Sequence, residues 1–306
     1  MFNKSCLQSY GFWKRLVLCL IGLELVYLHY SGLSLHQLFN SPFHYKGLDP
    51  SYWLMESIGL PSIFKTFYGI IAFEIALFLS LLLAILNAQK TIWTIVFGLL
   101  LLSYQLLFNY KLGYHTHHLF WLQFALFPFY FKRNNALLSF NFSRFMVCMT
   151  YFMAGVFKVL GGAYLQPDNL VNTLQSQHAA YWYFYPNSLR IQMVDWCMQH
   201  IGFSHVVFVL AILLQLAFVI GFFTKRCDKL LAVFLLVFHL MDWLLMNLGI
   251  FMGMCIMAYL FVMPRDLTDF SSTKKTWLFF NILPYMLNKF NMFALKWASR
   301  KIKSCT

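Results

Sequence analysis

Eight stretches of this chain are runs of predominantly apolar side chains, at about residues 13–31, 62–86, 91–109, 119–131, 143–162, 205–223, 229–247 and 250–263. A helix crossing a hydrocarbon core of ~30 Å needs about 20 residues. Six of the stretches approach that length. The fourth and eighth are short, which suits segments that re-enter the bilayer or are shielded by neighbours. The pattern predicts an all-α bundle of about eight helices with both termini on the inner side. The first stretch follows Lys14 and Arg15 as a signal peptide would. Its nearest small-residue site is Gly32-Leu33-Ser34, beyond the bulky Tyr27-Leu28-His29-Tyr30, so the segment is expected to remain as a helix.

Composition narrows the class. Of 306 residues, 60% are hydrophobic, 20% aromatic and 11% charged, against about 25% charged in an ordinary soluble domain. Too little polar surface remains to disperse a globule of this size. With Gly at 15, Pro at 8 and Cys at 7, collagen-like, disordered and disulfide-framework classes are also excluded. The seven cysteines show no CxxC or metal-ligand spacing and read mostly as small core residues. The excess of 23 Lys and Arg over 10 Asp and Glu, net +13, points to membrane orientation and anionic lipid rather than to nucleic acid.

Counting basic residues gives a direction. With eight crossings and an inner N-terminus, the inner segments hold 18 Lys and Arg, and the outer ones four: Lys46, Lys65, Lys111 and Arg190. That asymmetry follows the positive-inside rule and suits a multi-pass protein of a bacterial inner membrane. Residues 32–61 and 163–204 then face outward. The second of these carries Tyr181-Trp182-Tyr183-Phe184-Tyr185-Pro186, an interfacial aromatic belt or the wall of a substrate vestibule. Residues 1–264 form the transmembrane domain. Residues 265–306 form a basic amphipathic tail broken at Pro284, expected to lie on the inner leaflet.

Polar groups inside spans are costly and each needs a reason. They are Glu24, Glu74, Gln105, Gln123, Lys158, Gln215, His239 and Asp242. His115, His117 and His118 stand at the outer entrance of the fourth helix. Helix directions place Lys158, His117, His239 and Asp242 in the outer half, with His239 and Asp242 three apart on one helix face. On residue type alone, Lys158 also suits snorkelling to the interface, and His239 with Asp242 suits a structural pair. The single HxHH cluster lacks the further histidine boxes of a di-iron enzyme, so no metal is expected there.

The run Tyr151-Phe152-Met153-Ala154-Gly155-Val156-Phe157-Lys158 resembles the YFxAGxxK segment of the vitamin K-dependent γ-carboxylase family, which shares the horizontally transferred transmembrane (HTTM) domain. Thr116-His117-His118-Leu119 with Gln123 and Ala125 is similar to the family's histidine-bearing helix entrance. Phe238-His239 and Gly249-Ile250-Phe251 are similar to its late FH…GxF pair. The resemblance covers roughly residues 10–265 in order. It implies Lys158 as the base that starts oxidation of reduced vitamin K or menaquinol, supported by His117. The chemistry ends in quinone epoxide and carboxylation of a glutamyl side chain. His239 and Asp242 are secondary candidates for orienting the quinol. Where the carboxylases carry paired lysines, this chain has Phe157-Lys158. After Pro264 a basic tail follows in place of their large lumenal domain. In this the chain is similar to shorter bacterial members, including the sporulation-delaying-protein B type.

Two functions are therefore expected from different classes. One is a quinol-dependent γ-carboxylase-like enzyme acting on a peptide or protein at the outer face. The other is a non-catalytic membrane protein for maturation, binding or export of a secreted peptide.

Overall fold

The computed structural model describes residues 4–40, 57, 59, 66–112, 121–131, 133–246 and 255–262. The chain divides into two units, Met1–Leu267 and Thr268–Thr306. The second, which holds the expected amphipathic tail, lies outside the described residues. The described residues of the first form helices and turns, with no strand among them.

Twelve described α-helices follow one another: α1 Lys4–Tyr30, α2 Leu35–Asn40, α3 Phe67–Leu86, α4 Thr91–Leu112, α5 Trp121–Leu126, α6 Arg133–Leu160, α7 Asn169–Phe184, α8 Leu189–Gln199, α9 Ile201–Ala217, α10 Ile220–Phe223, α11 Asp228–Met246 and α12 Tyr259–Val262. Five segments are helical, long and apolar enough to cross a membrane: Tyr10–Phe39, Phe67–Leu86, Thr91–Lys111, Leu138–Leu160 and Ile201–Phe223. They fall on five of the eight expected stretches, and the chain is compatible with a multi-pass membrane protein. Of the other three, the 119–131 stretch gives the short α5 and a 3-10 turn over Phe127–Tyr130. Pro128 lies in that turn and cannot donate the backbone hydrogen bond an α-helix would need. Its neighbours shield it, since Leu122, Ala125, Leu126 and Phe129 are buried. The 229–247 stretch is the 19-residue α11, which carries Asp228, Lys229 and Asp242. Of the eighth, residues 255–262 are described.

One apolar core joins α1, α3, α4, α5, α6, α11 and α12. A smaller one, around Leu170, Leu174, Val194, Cys197 and Leu245, holds the α7–α8 hairpin against α9 and α11. That hairpin comes from the 163–204 segment, which carries the aromatic run Tyr181–Tyr185. Trp182 Nε1 donates to Asp195 Oδ1 (2.8 Å), and His178 Nε2 bonds the Leu245 carbonyl (2.5 Å).

Polar side chains cross-link the helices. Arg144 of α6 donates to Asp228 (Nη2–Oδ1 2.5 Å, Nε–Oδ2 2.9 Å) and to the Gly221 and Thr224 carbonyls (2.8 and 3.0 Å). It thereby satisfies carbonyls left over at the end of α10. Gln123 joins α5 to α4 through Gly98 O and Gln105 Oε1, and accepts from Tyr130. Two residues counted as inner-face cations are therefore internal. Arg144 is spent on this junction, and Lys14 is only 1% exposed. The packing of Tyr10 on Phe129 and Trp13 on Tyr259 draws that part of α1 into the interior.

Candidate functional site

Helix α6 presents the run from Tyr151 to Lys158, and α9 packs antiparallel beside it. The pairs Lys158–Gln215, Gly155–Leu216 and Arg144–Thr224 fix that direction. Gly155 is the point of closest approach. A Cβ there would stand 3.0 Å from Leu216 side-chain atoms and 3.1 Å from its backbone nitrogen. Tyr151 stacks on Phe218 (centroids 4.6 Å) and lies beside Trp121 (5.6 Å) and Phe238 (6.1 Å). Its hydroxyl hydrogen-bonds His239 Nε2, and His239 Nδ1 faces Asp242 Oδ2 at 3.4 Å on the same helix. Lys158 Nζ donates to Gln215 Oε1 at 2.9 Å.

Of the four expected site residues, Lys158 pairs with Gln215, while His239 and Asp242 form a second polar group with Tyr151, about two helical turns along α6 from Lys158. The fourth, His117, lies with His115 and His118 outside the described residues. Lys158 is half-buried, with a protein acceptor for its amine. It stands near the end of α6, which Gly162 closes with φ +68°, a conformation that favours glycine. Its amine is nevertheless turned to Gln215, and α9 continues past that level. The fourteen residue steps from Ile201 to Gln215 span about 21 Å. The 3-10 turn Ala163–Leu165 and the α7–α8 hairpin pack against α9 as well, so the amine is recessed below a helical cap. His239 and Asp242 are a pair within α11, and the bond between helices runs instead from His239 to Tyr151.

Two members were not assigned roles from sequence. Tyr151 was visible only as the first letter of the motif. Gln215 was visible as an amide in a strongly apolar helix, which must find a partner; the sequence does not say which partner.

Phe157, Val159 and Leu160, on the same turn as Lys158, are exposed, while Tyr151 and Gln215 are buried behind it. Among the described residues no group of three or more His, Cys, Asp and Glu side chains converges as a metal site would require.

No family model, curated protein or solved structure matches this chain.

Proposed function

We propose that the chain is a membrane enzyme of the γ-carboxylase-like type, in which Lys158 is a general base for a reduced naphthoquinone, vitamin K-like or menaquinol. One observation carries this reading: the lysine of the motif bonds Gln215, and about two turns along the same helix Tyr151 bonds the His239–Asp242 pair. The donor set suits a quinol, since it offers an amine, an amide and an imidazole, and the rings of Trp121, Phe218 and Phe238 pack around the neighbouring Tyr151. A bound quinol would supply the electrons for oxygen chemistry. Lys158 would receive a proton at Nζ, with Gln215 Oε1 fixing the amine. His239 holds the Tyr151 hydroxyl by one ring nitrogen and faces Asp242 with the other, an order suited to moving a proton. On this reading His117 supports Lys158. The site opens to the outer side of a bacterial inner membrane, where a glutamate-bearing peptide or protein is the substrate.

The test uses protein in nanodiscs with reduced vitamin K or menaquinol, oxygen, bicarbonate and a glutamate-rich peptide. Mass spectrometry should find quinone epoxide, and a peptide gain of one carbon dioxide, both lost in Lys158→Ala. Folded wild-type protein that forms no epoxide rules the reading out.

A second reading, a non-catalytic receptor for a secreted peptide, is favoured by the α7–α8 hairpin. Tyr183, Phe184, Tyr185 and Trp196 are exposed there, as a surface for an apolar peptide requires. Peptide binding that survives Lys158→Ala, without epoxide, would select it.

A further inference from the structure

Helix α8 is apolar on two opposite sides. Ile191, Val194 and Cys197 are buried, the last two in the small core with Leu170, Leu174 and Leu245. On the other side Leu189, Met193 and Trp196 fall within about 60° of arc on the helical wheel and are 74%, 37% and 47% exposed. Gln192 and Gln199 follow them around the surface and are exposed as well. The outward face of α8 is therefore an apolar strip with a polar edge beside it. Its two apolar sides oppose each other, so the sequence of residues 189–199 shows no single apolar face.

A fixed corner joins α8 to α9. His200 (φ −111°, ψ +65°) ends α8 outside the helical region, and its ring stacks on Trp196 (centroids 4.4 Å). Ser204 Oγ donates across the corner to the Cys197 carbonyl (2.5 Å). The Trp196 ring in turn meets that of Phe203 edge to face (4.9 Å, 71°). Phe203 begins the exposed apolar strip of α9, which continues through Val206, Leu210 and Leu213, each about half exposed. α9 opens the segment Ile201–Phe223, long and apolar enough to cross a membrane, and an exposed apolar strip on a crossing helix faces lipid. The ring contact makes the two strips one surface. A partner arriving from water would have to part the α8 strip from the lipid face it runs into, whereas lipid covers both without a break. A tryptophan at the start of a crossing segment also suits the zone between acyl chains and headgroups, where its ring is buried and its N–H finds a polar partner.

We propose that α8 is a membrane-interface helix, with Leu189, Met193 and Trp196 set in the lipid of the leaflet where α9 starts and Gln192 and Gln199 in water. The partner is the lipid itself, held by apolar burial rather than by charge. Trp196 then belongs to lipid and not to a peptide surface. The proposal rests on α9 as a crossing helix and is independent of Lys158 and quinol chemistry.

Photo-crosslinking of the full chain in phosphatidylcholine nanodiscs tests it with the native cysteines in place. The photoreactive amino acid p-benzoylphenylalanine replaces Leu189, Met193, Gln192, Gln199 or Val206, one per variant; all five positions are exposed, so the core is left alone. After irradiation, mass spectrometry should find a phosphatidylcholine adduct at Leu189 and Met193 in a yield comparable to that at Val206, and about tenfold less at Gln192 and Gln199. A lipid adduct at Val206 but not at Leu189 and Met193 overturns the proposal. So does a crosslink from Leu189 or Met193 to a second copy of the chain, or to an added apolar peptide, in place of lipid. Equal lipid yields at all four α8 positions overturn the polar edge, and no adduct at Val206 removes the crossing helix on which the proposal rests.

Discussion

At the scale of single residues, the bond between Lys158 and Gln215 separates two accounts of this lysine. A snorkelling amine needs no protein acceptor, whereas a held one loses free energy when its acceptor is removed. Gln215→Leu should therefore lower stability by about 1–3 kcal/mol, because it removes the acceptor of a recessed amine and leaves the amine poorly solvated. Removing both partners is less costly than removing one, so Lys158→Met with Gln215→Leu should recover most of that loss in thermal unfolding scans of detergent-solubilised protein. Additive losses in the double variant would show that the two side chains are not coupled. Tyr151→Phe works by the same logic on the neighbouring bond. It deletes the hydroxyl that holds His239 and should cost about 1–3 kcal/mol. Lys158 was legible in the sequence because a charge in an apolar helix stands out and the motif marks it. Glu74 stood out equally, but its partner His36 lies across a chain reversal at Gly32, and no periodicity carries that pairing.

At the scale of elements, the α6–α9 contact depends on having almost nothing at Gly155. Gly155→Leu places a branched side chain where Leu216 and its backbone already lie, so the helices must part or tilt. The expected result is lower thermal stability and loss of the Lys158–Gln215 bond, checked by unfolding together with reactivity of Lys158 toward an amine-selective reagent. Gly155→Ala should show the same trend more weakly, since one methyl asks for a displacement of only a few tenths of an ångström. At the other end of the contact, Arg144 holds α6 to the α10–α11 junction. Arg144→Met should cost about 3–5 kcal/mol, because it strips Asp228 of its guanidinium in a mostly buried setting. Arg144→Lys should recover only part, since one ammonium cannot reach the two carboxylate oxygens and two carbonyls that the planar fork serves. The helices themselves were legible from apolar runs: the starts of α3 and α4 and the ends of α1 and α11 fall within a few residues of the expected limits. The extra length of α6, which begins at Arg133 rather than near 143, was not. Residues 133–142 include Arg133, Asn134, Asn135 and Asn141, and hydropathy alone does not extend a helix across them.

At the scale of the whole molecule, the open question is which end of the bundle faces out, and the charge count answers it less directly than it first suggests. Lys14 and Arg144 contribute to the inner total, yet the fold uses both internally. The asymmetry then rests on the remaining loop and tail residues, such as Lys90, Lys225 and Arg226. The turn between α3 and α4, at Asn87–Lys90, and the turn between α7 and α8, at Tyr185–Ser188, give the direction an experimental form. On a background with the native cysteines replaced, Asn187→Cys should react with a membrane-impermeant maleimide in intact cells, whereas Gln89→Cys should react only after the membrane is opened. Both positions are exposed in the fold, so a lack of reaction reports the membrane rather than burial. The reverse pattern would turn Lys158 and its helical cap toward the cytoplasm. Any peptide reaching that cap would then have to be met before export, and the proposed outer-face chemistry would fail with the orientation.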